Sequence, residues 1–169
     1  LRPDDPEHVD VLMFLMAEAE LLDTNDLSAW LDLLAPEIVY TMPVQVSRLN
    51  EDPAPGASGS FHINEDRATL ELRVRRLLES NSVWSANPLP RIRRFVSNIR
   101  VRREAGGLLR SSSYLLLLRS RPDVESYEFI SAERSDLLGR SQAGKLELHS
   151  REITVDQTRM GLSFLPIPL

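Results

Sequence analysis

Between Pro88 and Arg103 the chain reads PLPRIRRFVSNIRVRR, and no other stretch narrows its folding options as far. Pro88 and Pro90 bar a helical entry, and the β-branched and aromatic residues that follow favour a strand. Ile92, Phe95, Val96, Ile99 and Val101 must reach an apolar core, while Arg91, Arg93, Arg94, Arg100, Arg102 and Arg103 must reach something else. A nucleic-acid strip conflicts with a net charge of −5. A solvated face suits Arg102 and Arg103, next to a turn. For Arg91, Arg93 and Arg94 the reading adopted is a subunit interface, where arginine is enriched.

A strand this long needs long partners, and the sequence downstream supplies them. Strands are predicted at 91–104, 108–121, 125–138 and 144–156, joined by Gly106-Gly107, Arg121-Pro122-Asp123 and Gln142-Ala143-Gly144. Turns this short give an antiparallel meander. In the last strand the apolar phase slips between Leu146/Leu148 and Ile153/Val155, which predicts a bulge near Ser150-Arg151. Bulges curl a sheet, and a curled sheet packed on helices encloses a cone.

Helices precede the strands, an order expected of an α+β fold. Glu7–Leu22 is predicted helical, with Val9, Leu12, Met13 and Met16 on one stripe and Phe14 and Leu15 beside it. A short helix at Asp26–Leu34 places Leu27, Trp30, Leu31 and Leu34 on its inner face and stops at Pro36. Glu37–Val46 reads as a strand, and 47–63 as a mobile surface loop rich in proline and glycine. Asn64 is the expected N-cap of a helix that turns Leu70, Val74, Leu77 and Leu78 inward and pairs Glu71 with Arg75. A loop holding Trp84 closes it. Residues 1–169 are expected to form a single domain. The chain begins at Leu1 and not Met, so residues are expected to precede it.

Tyr114 to Leu118 (YLLLL) is apolar in both phases. An antiparallel strand with one wet face alternates instead. Either the chain's own loops cover this run or a second chain does. Tyr127 and Phe129 on one side, with Ile130 and Ala132 on the other, repeat the pattern and favour an oligomer.

The absence of cysteine excludes thiolate metal sites, iron–sulfur ligation and a Cys nucleophile in this chain. The cytoplasm is the expected compartment. Neither a membrane span nor a signal peptide is predicted in the sequence given. Three histidines, His8, His62 and His149, lack metal-ligand spacing. A catalytic alternative needs an acid–base pair inside the cone. Its candidates are Tyr40, Trp30, Asp136 and His149, of which Trp30 and Asp136 also read as a core residue and an ion-pair partner.

Several segments together resemble the small (beta) subunit of aromatic-ring-hydroxylating dioxygenases, the Rieske non-haem iron oxygenases. They are EAELLD from Glu18 to Asp23 with Trp30-Leu31, IVY from Ile38 to Tyr40 with Met42-Pro43, and LRVRRL from Leu72 to Leu77 with Trp84. Pro88 to Asn98, AERSDL from Ala132 to Leu137, and Arg151 with Asp156 complete the set. Order and spacing carry the likeness, which runs over nearly the whole length. It departs where the family pattern has Ser and His and this chain has Arg91 to Arg94.

The resemblance implies a cone of the NTF2-like (cystatin-like) type. It also implies a non-catalytic, mainly structural subunit that holds no cofactor. The Rieske 2Fe-2S cluster and mononuclear non-haem iron would lie in a partner alpha subunit. Assembly with alpha and other beta subunits as alpha3beta3 would follow, with electrons from a ferredoxin and reductase. The product would be a cis-dihydrodiol of an aromatic hydrocarbon. The residues expected at subunit interfaces are Tyr40, Arg91, Arg93, Arg94, Asn98, Tyr114, Leu116, Arg134, Asp136 and Arg151. The alternative is a stand-alone enzyme of the scytalone-dehydratase or ketosteroid-isomerase kind on the same fold.

Overall fold

Four long strands follow one another as an antiparallel meander in the computed structural model, which describes residues 1–44, 61–79, 91–120, 125–156 and 168–169. They are β3 (Arg91–Arg103), β4 (Leu109–Ser120), β5 (Tyr127–Arg140) and β6 (Leu146–Val155). Each is within about two residues of its predicted bounds, because period-two patterning over ten or more residues is a strong local signal. The β3–β4 turn uses Gly106 and Gly107 at φ 73° and 78°, a region that residues with a Cβ rarely enter.

Upstream lie β1 (Leu34–Pro43) and β2 (Phe61–Glu65). The sheet order is β2-β1-β6-β5-β4-β3. β1 runs parallel to β6, with Tyr40 opposite Arg151, and β2 is antiparallel to β1. Against one face pack α1 (Pro6–Asp23), α2 (Leu27–Leu31) and α3 (Arg67–Glu79). The result is the predicted α+β cone: helices on the inner face of a curled six-stranded sheet.

Two irregularities shape the sheet. Leu137 pairs with Ser150 but Leu138 pairs with Leu148, so His149 is the extra residue and the predicted bulge lies one residue earlier than Ser150. Inward-facing residues change phase there, from Leu148 to Arg151, Ile153 and Val155. The His149 ring lies over Gly139, where an added Cβ would come within 2.5 Å of Nε2. On β3, Asn98 and Ile99 fall between the Ser97–Tyr114 and Arg100–Ser112 pairs, and Asn98 takes φ 54°.

The helices correct several expectations. On α1 the buried residues are His8, Val11, Phe14, Leu15, Glu18 and Leu22, while Val9, Met13 and Met16 are exposed. This helix is apolar around much of its circumference, so periodicity alone chooses its inner face poorly. Leu34 belongs to β1 and not to α2, which Asp26 caps by accepting from Ala29 N at 3.1 Å. Residues 61–63 are part of a strand, and Asn64 lies in that strand too; Asp66 caps α3 through Thr69 N at 2.9 Å. Leu78 is exposed, and Glu71 pairs with Arg67 rather than Arg75. Most of the expected 47–63 loop, and Trp84, lie outside the described residues. No helix among the described residues is long and apolar enough to cross a membrane.

Candidate functional site

Glu18 sits on α1 in line with Val11, Leu15 and Leu22, which drives its carboxylate into the cone. A buried carboxylate must find cations. Arg151 on β6 supplies one, donating from Nη1 at 2.7 Å and Nη2 at 2.8 Å, and Trp30 Nε1 adds a bond at 3.1 Å. Arg134 on β5 stands 3.5 Å away. Arg151 also grips Asp136 on β5, from Nε at 2.8 Å and Nη2 at 2.9 Å. Its second Nη1 hydrogen reaches the Leu169 carbonyl at 3.2 Å, so all five guanidinium N–H groups are used. Tyr40 lies edge-on to Trp30 and beneath the Arg151 guanidinium. A second pair joins Arg94 to Asp23 at 2.7 Å.

The electrostatics follow from burial and pairing. Burial alone pushes the Glu18 carboxyl up, but Arg151 and Arg134, with hydrogen bonds from Arg151 and Trp30, hold it at about 2. Burial works against the Arg151 charge too, yet Asp136 and Glu18 raise its pKa well above the ordinary value. Burial raises Tyr40 and lowers Arg94, and it lowers Arg134 with help from neighbouring Arg151. A carboxylate held ionised and fully hydrogen-bonded has no proton to lend near neutrality. Tyr40 is equally committed, donating to the Leu169 carbonyl at 2.6 Å and accepting from Leu169 N at 3.0 Å. The void beside it is about 10 Å³, room for roughly one water. Among the described residues this interior ties the fold together, and it commits three candidates of the acid–base alternative, Tyr40, Trp30 and Asp136, to hydrogen bonds. His149, its other candidate, pairs with Glu37 at 2.8 Å outside the cone.

Five of the residues expected at subunit interfaces, Tyr40, Arg94, Arg134, Asp136 and Arg151, are buried inside the chain. The last four are paired with opposite charges within the chain, because burial without pairing costs several kcal/mol per ion. The other five, Arg91, Arg93, Asn98, Tyr114 and Leu116, are exposed. Tyr114 and Leu116 share the outer sheet face with Phe95, Tyr127 and Phe129, which are 53%, 69% and 58% exposed. Strand register assembles them: Phe95 opposes Leu116, Leu118 opposes Phe129, and Arg93 opposes Leu118. Arg100 sits over the Tyr114 ring at 5.2 Å and pairs with Glu133. Beyond it, a hollow of about 390 Å³ is bordered by Val39, Phe61, Arg110 and Glu152.

Sequence reasoning missed Glu18 and assigned Phe95 to the core, whereas it stands on this exposed outer face. The 4-3-4 spacing of Val11, Leu15, Glu18 and Leu22 was the available signal for Glu18. Among the described residues no cluster of His, Cys, Asp and Glu could hold a metal ion.

Helices packed on a curled six-stranded sheet make an α+β cone of the NTF2-like type. Residues 17–161 match the family model described as "Ring hydroxylating beta subunit", and the chain belongs to that family. It is 34% identical over 164 residues to the biphenyl 2,3-dioxygenase beta subunit of Rhodococcus jostii, covering 92% of this chain and 86% of that one. With the benzene 1,2-dioxygenase beta subunit of Pseudomonas putida it shares 35% over 155 residues, 88% and 81% of the two chains. A solved structure of naphthalene 1,2-dioxygenase with indole bound superposes with a TM-score of 0.80 at 24% identity, over 94% of this chain and 83% of that chain. That likeness confirms the fold.

Proposed function

We propose that this chain is the non-catalytic structural beta subunit of the terminal oxygenase of an aromatic-ring dioxygenase. Residues 1–169 act as one domain whose task is assembly. The partner is an alpha subunit carrying a Rieske 2Fe-2S cluster and a mononuclear non-haem iron, in an alpha3beta3 complex in the cytoplasm. A ferredoxin and reductase deliver electrons, and the complex adds both atoms of O2 to an aromatic hydrocarbon to give a cis-dihydrodiol. Family membership supports the class of protein, and the outer sheet face is the observation that carries the role.

Phe95, Tyr114, Leu116, Tyr127 and Phe129 form a contiguous aromatic and aliphatic surface, with Arg91 and Arg93 at its border. Apolar patches rimmed by charge mark protein interfaces. The arginines fit a partner surface supplying carboxylates.

The test is mass and metal content of the chain purified alone and after co-expression with an alpha subunit of an aromatic-ring dioxygenase. A metal-free chain alone that joins an iron-containing complex of both chains is the expected result. A chain that ignores the large subunit overturns the reading.

A further inference from the structure

Pro168 and Leu169 lie inside the cone and are held from well-separated strands of the sheet. On β3, Arg94 Nη2 donates to the Pro168 carbonyl at 2.7 Å. On β1, the Tyr40 hydroxyl donates to the Leu169 carbonyl at 2.6 Å and accepts from Leu169 N at 3.0 Å. Arg151 on β6 adds a bond to the same carbonyl at 3.2 Å. In the sheet β3 and β1 are separated by β4, β5 and β6, so this dipeptide spans the cone. Leu169 is 2% exposed, and Pro168 abuts the small void lined by Tyr40, Ile63 and Leu70.

The contacts are those of peptide recognition: backbone oxygens met by fixed donors, a backbone N–H met by an acceptor, and an aliphatic side chain buried. Without the dipeptide, Arg94 Nη2, one Nη1 hydrogen of Arg151 and the Tyr40 hydroxyl would lose these partners while deeply buried. Each unmatched buried group is costly, so a vacated seat favours any peptide that restores the bonds. We propose that Tyr40, Arg94 and Arg151 form a peptide-binding cradle, filled in this chain by its own Pro168–Leu169 segment. A free peptide of the same chemistry, a short backbone carrying a leucine-sized aliphatic residue, would occupy it when that segment is absent. The proposal goes beyond the dioxygenase reading and requires nothing of the large subunit.

The experiment compares thermal melting of the full chain with that of a chain lacking Pro168 and Leu169. Loss of the segment should lower Tm by about 5–10 °C. N-acetyl-Pro-Leu at millimolar concentration should restore it saturably, whereas N-acetyl-Pro-Asp should not, and the full chain should not respond. An unchanged Tm on shortening, or equal response of both chains to the peptide, overturns the cradle. Should the shortened chain fail to fold, Tyr40→Phe in the full chain decides. Hydrogen exchange at the Leu169 amide should then rise by about 10-fold or more, and an unchanged rate overturns the proposal.

Discussion

Arg151 binds two carboxylates from different elements and a backbone carbonyl besides, so it ties α1, β5 and Leu169 to β6. Breaking a buried pair leaves the other charge uncompensated, at a cost of about 3–5 kcal/mol. Glu18→Gln should therefore lower unfolding free energy by about that amount in urea titration. The same carboxylate sets an acid limit. It titrates at about 2 in the folded chain against an ordinary value of 4.5. The stability it contributes is complete above pH 4.5 and is lost as pH falls through that value toward 2. Equilibrium unfolding across this window should show a steep decline in the native chain and a shallower one in Glu18→Gln. An equally steep decline in the variant would remove Glu18 as its cause.

At the level of elements, the β3 bulge rests on Asn98 at φ 54°, where β-branched residues are strained and glycine is free. Its side chain is exposed, so packing changes little. Asn98→Val should cost about 1–2 kcal/mol, and Asn98→Gly should be neutral or stabilising by up to about 1 kcal/mol. Chemical denaturation of both variants checks the order.

Elements also show how far the sequence could be read. β3 to β6 were legible because alternation over ten or more residues is hard to mistake, and the bulge was legible as a phase slip. The inner face of α1 was not, since Val9, Met13 and Met16 compete with Val11, Leu15 and Leu22 on equal hydrophobic terms. Glu18 had only its 4-3-4 spacing with Val11, Leu15 and Leu22 to mark it as a core residue, because its partners Arg134 and Arg151 lie more than 100 residues away. The arginines of β3 divided between the two sheet faces: Arg94 turns inward to Asp23, while Arg91 and Arg93 stay outside. The β1–β6 parallel pairing has no local signature at all.

For the whole molecule, the two sheet faces separate stability from association. The inner face holds the ion network and the apolar core, and the outer face carries side chains with little to lose in the monomer. Phe129→Asp should leave unfolding free energy within about 0.5 kcal/mol of the native chain. It should nonetheless abolish co-purification with the large subunit, because an unpaired carboxylate would be buried in the joint. Retained co-purification would move the interface elsewhere.

The parallel pairing of β1 with β6 also dictates an order of events during synthesis. β1 leaves the ribosome about 100 residues before the strand it lies beside, a delay of about 5–20 s at ordinary elongation rates. Until then Ile38, Tyr40 and Met42 lack their β6 neighbour, and Glu18 lacks its strongest cation. The nascent chain thus passes through a waiting period with a negative charge and an apolar strand both unmatched. β6 ends that wait on both counts at once, so a ribosome that stalls before residue 146 releases a chain unable to close its cone.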